Sequence, residues 1–180
     1  MSNSAFAFLD SLPSPPNFNV ADIKGNASDE EKLSAAKGFF HYFPGVFGSD
    51  ILKRLRVTTM NFDEGKRECE FISEIQISSN MCNFMGVLHG ACSTLLADVG
   101  MSMAVIMLGM KLGFDGRVLT RDMKTNFSYP GLADETIEVI ASSGILKNGV
   151  PTARCEIRNK NSAKICMTAI QSLGRPTTKL

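Results

Sequence analysis

The sequence predicts an α+β fold in which an antiparallel sheet of about six strands wraps around one long central helix, with an additional N-terminal helix. Two observations support this prediction: six strand-like runs separated by turn signals, and a single apolar segment of helical length between the second and third runs. An antiparallel sheet has one face to bury, and only this segment is long and apolar enough to cover it.

Composition and charge limit the classes of function. The chain has 180 residues, 44% of them hydrophobic and 21% charged, which is typical of one globular domain and excludes wholesale disorder. A net charge of +1 gives no electrostatic case for a nucleic-acid partner. Basic residues are in excess after residue 110 and acidic residues before it. The basic part could meet an anionic ligand or form solvated strand edges.

The N-terminal region divides into an arm and a helix. Residues 1–27 are rich in Pro, Ser and Asn, which predicts an extended arm without a core of its own. A helix is predicted over residues 28–44, because Ser28 and Glu31 form a capping box and Pro44-Gly45 would end it. We expect residues 28–174 to form a single domain, followed by a short tail over residues 175–180.

Six runs have the composition of strands. They are residues 52–62, 68–77, 117–128, 135–146, 151–159 and 164–172. Asn148-Gly149 predicts a hairpin between the fourth and fifth strands. In the fifth, apolar residues alternate with polar ones, as in a half-buried antiparallel strand.

The central helix is predicted over residues 89–112, and Asp98 is the only formal charge in residues 81–110. A membrane span is long enough but disfavoured, since a central Asp costs about 2.5–3.5 kcal/mol on insertion. In a core helix, a buried carboxylate is either satisfied by neighbouring hydrogen-bond donors or held for chemistry. The residues alone leave both interpretations open.

The start of this helix offers a second chemical group. Free N–H groups at His89 and Gly90, together with the helix dipole, form an anion site. Asp98 lies eight residues past Gly90, roughly 12 Å along the helix axis at about 1.5 Å per residue. One copy of the helix therefore cannot bring both groups to one substrate atom. If they cooperate, the site is shared between the subunits of a twofold dimer.

The histidines and cysteines of the sequence give little support for a metal site or a thiol nucleophile. His41 and His89 are the only histidines, and the five cysteines contain no C-x-x-C pair, so we expect no metal site. The odd number of cysteines is typical of free thiols in a reducing compartment. Cys82 or Cys92 with His89 could form a thiol nucleophile, but no third group that would orient the histidine is evident.

Asn83, Gly86, His89 and Gly90, followed by Asp98, resemble the helix signature of hotdog-fold acyl-CoA thioesterases, most of all the phenylacetyl-CoA-thioesterase-like branch. The branch typically has N-x-x-G-x-x-H-G-G and an acidic residue nine positions after the His. The family's Ser or Thr before a D-M motif corresponds to Thr120. The resemblance covers roughly residues 50–174, and Ala91 departs from it where a second Gly is usual.

The resemblance implies a role for each of these residues. The Gly90 N–H would stabilise the oxyanion of a thioester, and Asp98 of the partner subunit would act as general base or nucleophile. Thr120 would orient the attacking water, and Asn83 would position the water or the thioester. His89 would support the helix start. The family needs no cofactor.

The resemblance also implies partners. The substrate would be acyl-CoA, which points to lipid metabolism, and the protein would form a homodimer and a dimer of dimers; no nucleic-acid or membrane partner is expected. The candidates for the coenzyme A phosphates are Arg154, Arg158, Lys160 and Lys164. The alternative function is a non-catalytic acyl-CoA-binding hotdog protein, either a sensor or a structural subunit.

The expected location is the cytoplasm, because residues 1–27 lack the features of a secretory signal. Thr178-Lys179-Leu180 differs by one residue from the S-K-L address, which makes the peroxisome the alternative.

Overall fold

The computed structural model describes residues 12–15, 18–42, 45–114, 118–145 and 150–174. The helices are α1 (Asp29–Tyr42), α2 (Ser49–Leu52) and α3 (Gly90–Leu112), with 3-10 turns at Val20–Asp22 and Ser79–Met81. The strands are β1 (Arg56–Asp63), β2 (Glu68–Gln76), β3 (Leu119–Phe127), β4 (Thr136–Ile145), β5 (Pro151–Asn159) and β6 (Ile165–Gly174). They form one antiparallel sheet in the order β1-β2-β4-β5-β6-β3 around α3. The predicted fold class is confirmed.

Helix α3 forms the centre of the core and packs mainly against β2, β4 and β5. It is long and apolar enough to cross a membrane, but 61% of its most apolar window is buried inside the protein. Gly100 lets the helix approach the sheet, since a Cβ there would lie 3.0 Å from Val139 Cγ1 and 3.4 Å from Ala141 Cβ. The Ser143 hydroxyl on β4 also donates to the Ala104 carbonyl at 2.7 Å, which ties the two layers together.

The predicted start of the first strand is wrong. Residues 52–55 were predicted to be extended. Instead Leu52 is the last residue of α2, residues 53–55 connect it to the sheet, and β1 begins only at Arg56. The Leu52 N–H donates to the Gly48 carbonyl at 3.0 Å, and Lys53 pairs with Asp50 at 2.7 Å across one turn. These local bonds favour a helix at a site where the apolar pattern alone resembles a strand.

The described part of the N-terminal arm joins the core of the domain. Lys24 exchanges backbone hydrogen bonds with Thr58 and Met60, and Ile23 and Ala27 are buried. The arm, predicted to have no core of its own, therefore packs along the outer edge of β1. Residues 1–11, 16–17 and the predicted tail over residues 175–180 lie outside the described residues.

Helix α1 begins as predicted. The Ser28 Oγ accepts from the Glu31 N–H at 3.2 Å, and the Glu31 carboxylate accepts from the Ser28 N–H at 2.8 Å. The opposite end of the helix, predicted at Pro44-Gly45, borders residues 43–44, which lie outside the described part of the chain. The predicted turn at Asn148-Gly149 lies outside it too, although β4 and β5 pair antiparallel on either side.

Candidate active site

The start of α3 presents an unbonded amide. His89 is the N-cap, and its Nδ1 accepts from the Ala91 N–H at 3.0 Å, which requires this nitrogen to carry no proton. The Gly90 N–H, one residue earlier, donates to no acceptor among the described residues. The positive end of a 23-residue helix therefore presents a free donor at Gly90.

The segment before the helix is held by a compact turn. The Asn83 Oδ1 accepts from the Met85 N–H at 2.9 Å, and Gly86 has a φ of 74°, in the left-handed region that glycine favours. The Leu88 N–H donates to the Gly131 carbonyl at 2.8 Å. The side-chain oxygen of Asn83 thus holds the turn. Its amide group has no partner among the described residues.

A cleft of about 290 Å³ lies beside the helix start. Its lining residues are Leu88, Gly90, Ser93, Phe127, Ser128, Tyr129, Pro130, Gly131 and Cys166. Phe127, the last residue of β3, forms one wall, and a Cβ at Gly90 would lie 3.3 Å from its ring. A side chain at this position would therefore press against the Phe127 ring.

Asp98 lies at the other end of β3, in contact with Thr120 and Gln171. The Thr120 hydroxyl donates to Asp98 Oδ1 at 2.8 Å, and the Gln171 amide donates to the same oxygen at 2.6 Å. The Gln171 amide also donates to the Thr120 hydroxyl. Asp98 Oδ2 accepts no hydrogen bond within the described residues. The carboxylate is therefore fixed through one oxygen and free at the other.

The sequence analysis did not identify Gln171. It lies on β6 in the row Met167, Ala169, Gln171 and Leu173, whose members are all buried. A polar residue in an otherwise apolar buried row was the signal that could have found it. The pairing of β6 with β3, which places Gln171 beside Thr120, is not visible in the sequence.

The four basic candidates lie in different surroundings. Arg158 pairs with Glu138 at 2.9 Å, and Lys160 shares Glu74 with Arg56, so both side chains already contact a carboxylate. Arg154 donates to the Ser142 hydroxyl at 2.9 Å on the sheet face away from α3. Lys164 alone lies near the cleft, with its Nζ 2.8 Å from the Tyr129 hydroxyl.

The surroundings of Cys92 do not support a thiol nucleophile. Burial raises the pKa of this thiol to about 11, so it is protonated at neutral pH. His89 Nδ1 is occupied by the Ala91 N–H. Among the described residues no group of three His, Cys, Asp or Glu side chains could hold a metal ion.

Residues 85–166, which include the helix start, Asp98 and Thr120, match the sequence profile of the thioesterase superfamily. The chain has a hotdog fold, and its sequence similarity to the thioesterase superfamily is confined to this segment. A comparison with curated proteins finds no significant match.

Several solved thioesterase-superfamily structures share the fold. Thioesterase superfamily member 2 from zebra fish has 17% identity and a TM-score of 0.66, over 78% of this chain and 96% of that one. The E. coli PaaI protein from the phenylacetic acid degradation operon has 17% identity and a TM-score of 0.54, over 67% of this chain and 82% of that one. A hypothetical thioesterase from Streptococcus pneumoniae, solved with coenzyme A, has 16% identity and a TM-score of 0.55, over 66% and 86%. At these identities the likeness shows the fold alone.

Proposed function

We propose that this protein hydrolyses acyl-CoA thioesters to the free acid and coenzyme A. The observation that carries the proposal is the state of Asp98, whose Oδ1 accepts from Thr120 and Gln171 while Oδ2 has no partner among the described residues. A carboxylate held in this way can take a proton from a water that attacks the thioester carbon, or attack that carbon itself to form an anhydride. The Thr120 hydroxyl lies where it can orient the water.

The free Gly90 amide supplies the complementary group. When the carbonyl carbon becomes tetrahedral, its oxygen gains negative charge, and an N–H at the positive end of α3 stabilises that charge. His89 accepts from the neighbouring Ala91 N–H and so fixes the first turn of the helix. In this proposal His89 positions the donor and moves no proton.

The two groups belong to different subunits. Within one chain, Thr120 and Asp98 lie at one end of β3, and Phe127 and Gly90 at the other. Among the described strands, β3 pairs with β6 on one side and with none on the other. Antiparallel pairing of β3 with its copy about a twofold axis would place the Thr120 end of one strand beside the Phe127 end of the other. Asp98 would then face Gly90 of the partner subunit.

The Streptococcus pneumoniae structure with coenzyme A supports a coenzyme A ester as the substrate class. Of the four basic candidates, Lys164 is best placed to meet the nucleotide phosphates, since it lies beside Tyr129 at the cleft. We further propose a cytoplasmic location.

The replacement Asp98→Asn tests the proposal. With a panel of acyl-CoA esters of different chain length, free thiol release should fall about 10²–10⁴-fold, because the amide can neither take a proton nor attack. Asp122→Asn is the matched control, since this exposed carboxylate lies on β3 close to Thr120, and among the described residues its side chain bonds only Ser172. Full hydrolysis by Asp98→Asn would contradict the proposal. Tight acyl-CoA binding by a wild type without turnover would instead favour a binding protein.

A further inference from the structure

We propose that Gln171 is a positioning residue of the active site, which holds Asp98 and Thr120 so that only Asp98 Oδ2 is available for the reaction. This inference rests on the proposed hydrolase function. It assigns a role to a residue that the motif of the central helix does not include.

The contacts account for every donor in the cluster. The side-chain amide of Gln171 has two N–H groups, and its two acceptors are Asp98 Oδ1 and the Thr120 hydroxyl oxygen. Thr120 uses its single O–H to donate to the same Asp98 oxygen. Oδ1 therefore receives two hydrogen bonds, and the proton transfer or nucleophilic attack is left to Oδ2.

The orientation of the amide and the charge of Asp98 depend on each other. In the opposite orientation of the amide, Oε1 would face the Asp98 carboxylate, and two acceptor oxygens would repel each other. An ionised Asp98 thus selects the observed orientation. Gln171 in turn fixes the torsion of the carboxylate, in the same way that outer residues orient the groups of an active site.

The burial of Gln171 does not favour a purely structural role. Its side chain is 3% exposed, and Oε1 is buried with no hydrogen-bond partner among the described residues. An unpaired buried carbonyl destabilises the fold, and the neighbours in its row, Ala169 and Leu173, are apolar. A polar side chain that lowers stability at such a position is typical of a functional site.

The test compares the kcat and KM of the wild type with those of Gln171→Leu and Gln171→Glu. Leu removes both donors, and Glu keeps the shape but removes the N–H groups. We expect kcat to fall about 10–100-fold in both variants, with KM within about twofold, because Gln171 acts through Asp98 and touches no substrate. Ser73→Ala is the matched control, since Ser73 Oγ is the other buried side-chain oxygen that has no partner within the described part of the sheet. It should keep the wild-type kcat.

A double-mutant cycle separates positioning from a general structural effect. If Gln171 acts through Asp98, adding Gln171→Leu to Asp98→Asn should lower kcat no further. A multiplicative loss would overturn the inference, and so would a wild-type kcat in both single variants when the wild type is active. A wild type without thioester hydrolysis would overturn the proposed function and this inference with it.

Discussion

At the scale of single residues, the proposed chemistry depends on two polar atoms that have no partner within the described chain. One is the Gly90 amide, whose neighbour Ala91 is already bonded to His89. The other is Asp98 Oδ2, whose companion oxygen takes both available donors. A reaction that develops charge needs such unpaired polar groups, because they are free to stabilise the transition state.

Gly90→Pro tests the role of the amide. Proline is well tolerated at the first position of a helix, and His89 already has the extended conformation, with φ −66° and ψ 133°, that a residue before proline adopts. The substitution should therefore keep the fold while it removes the N–H. We expect kcat for acyl-CoA hydrolysis to fall about 10²–10³-fold.

Gly90→Ala is the control for this experiment. It brings the same Cβ, 3.3 Å from the Phe127 ring, but keeps the amide. It should retain much more activity than the proline variant. Equal activity in the two variants would show that crowding at Phe127, and not the N–H, determines the rate.

Single residues were predictable from the sequence where the signal is local. Asp98, the only charge in residues 81–110, and the residues at the start of α3 were singled out from the apolar run and from helix geometry, and Thr120 was singled out from a motif. Gln171 was not, because it meets Asp98 only through the pairing of β6 with β3, where the register shifts between Thr120 and Asp122. Arg158 and Lys160 were predicted to bind the coenzyme A phosphates. The carboxylates that they contact, Glu138 and Glu74, lie on other strands, and these contacts are not visible in the sequence.

At the scale of elements, the packing of α3 on the sheet positions the site. All six strands were predicted, since alternation and turn residues are local signals. The start of β1 was not predicted correctly, because the short apolar run at Leu52 is compatible with either a strand or a helix. The hydrogen bonds to the Gly48 carbonyl favour the helix. The close approach of α3 at Gly100 also depends on tertiary contacts with Val139 and Ala141.

Gly100→Val tests this close approach. Two additional methyl groups beyond a Cβ that already lies 3.0 Å from Val139 Cγ1 would force α3 and β4 apart. We expect a loss of about 1–3 kcal/mol in the free energy of unfolding, measured by urea denaturation. Gly65→Ala, in the exposed turn between β1 and β2, should change it far less, since its Cβ would meet only Asp63 Oδ1 at 3.5 Å. An unchanged stability of Gly100→Val would contradict the packing described for α3.

At the scale of the whole molecule, one chain contains both groups of the proposed site, Asp98 and the Gly90 amide, at separate places. The eight-residue spacing along α3 predicts a shared site, and β3 offers a route to it, because its two ends contact Asp98 and Gly90. A strand with a free edge can pair with its copy, and a twofold axis then creates two equivalent sites. The sequence gives the spacing of the two groups, whereas the open edge of β3 is visible only in the structure.

The most direct test of the account mixes two inactive chains. Asp98→Asn and Gly90→Pro, each nearly inactive alone, are expressed together with different affinity tags, and the mixed dimer is purified through both tags. One of its two sites then combines an intact Asp98 with an intact Gly90 from the other chain, so thiol release should recover to about half the wild-type rate per dimer. A mixed dimer as inactive as its parents would contradict a site shared between subunits.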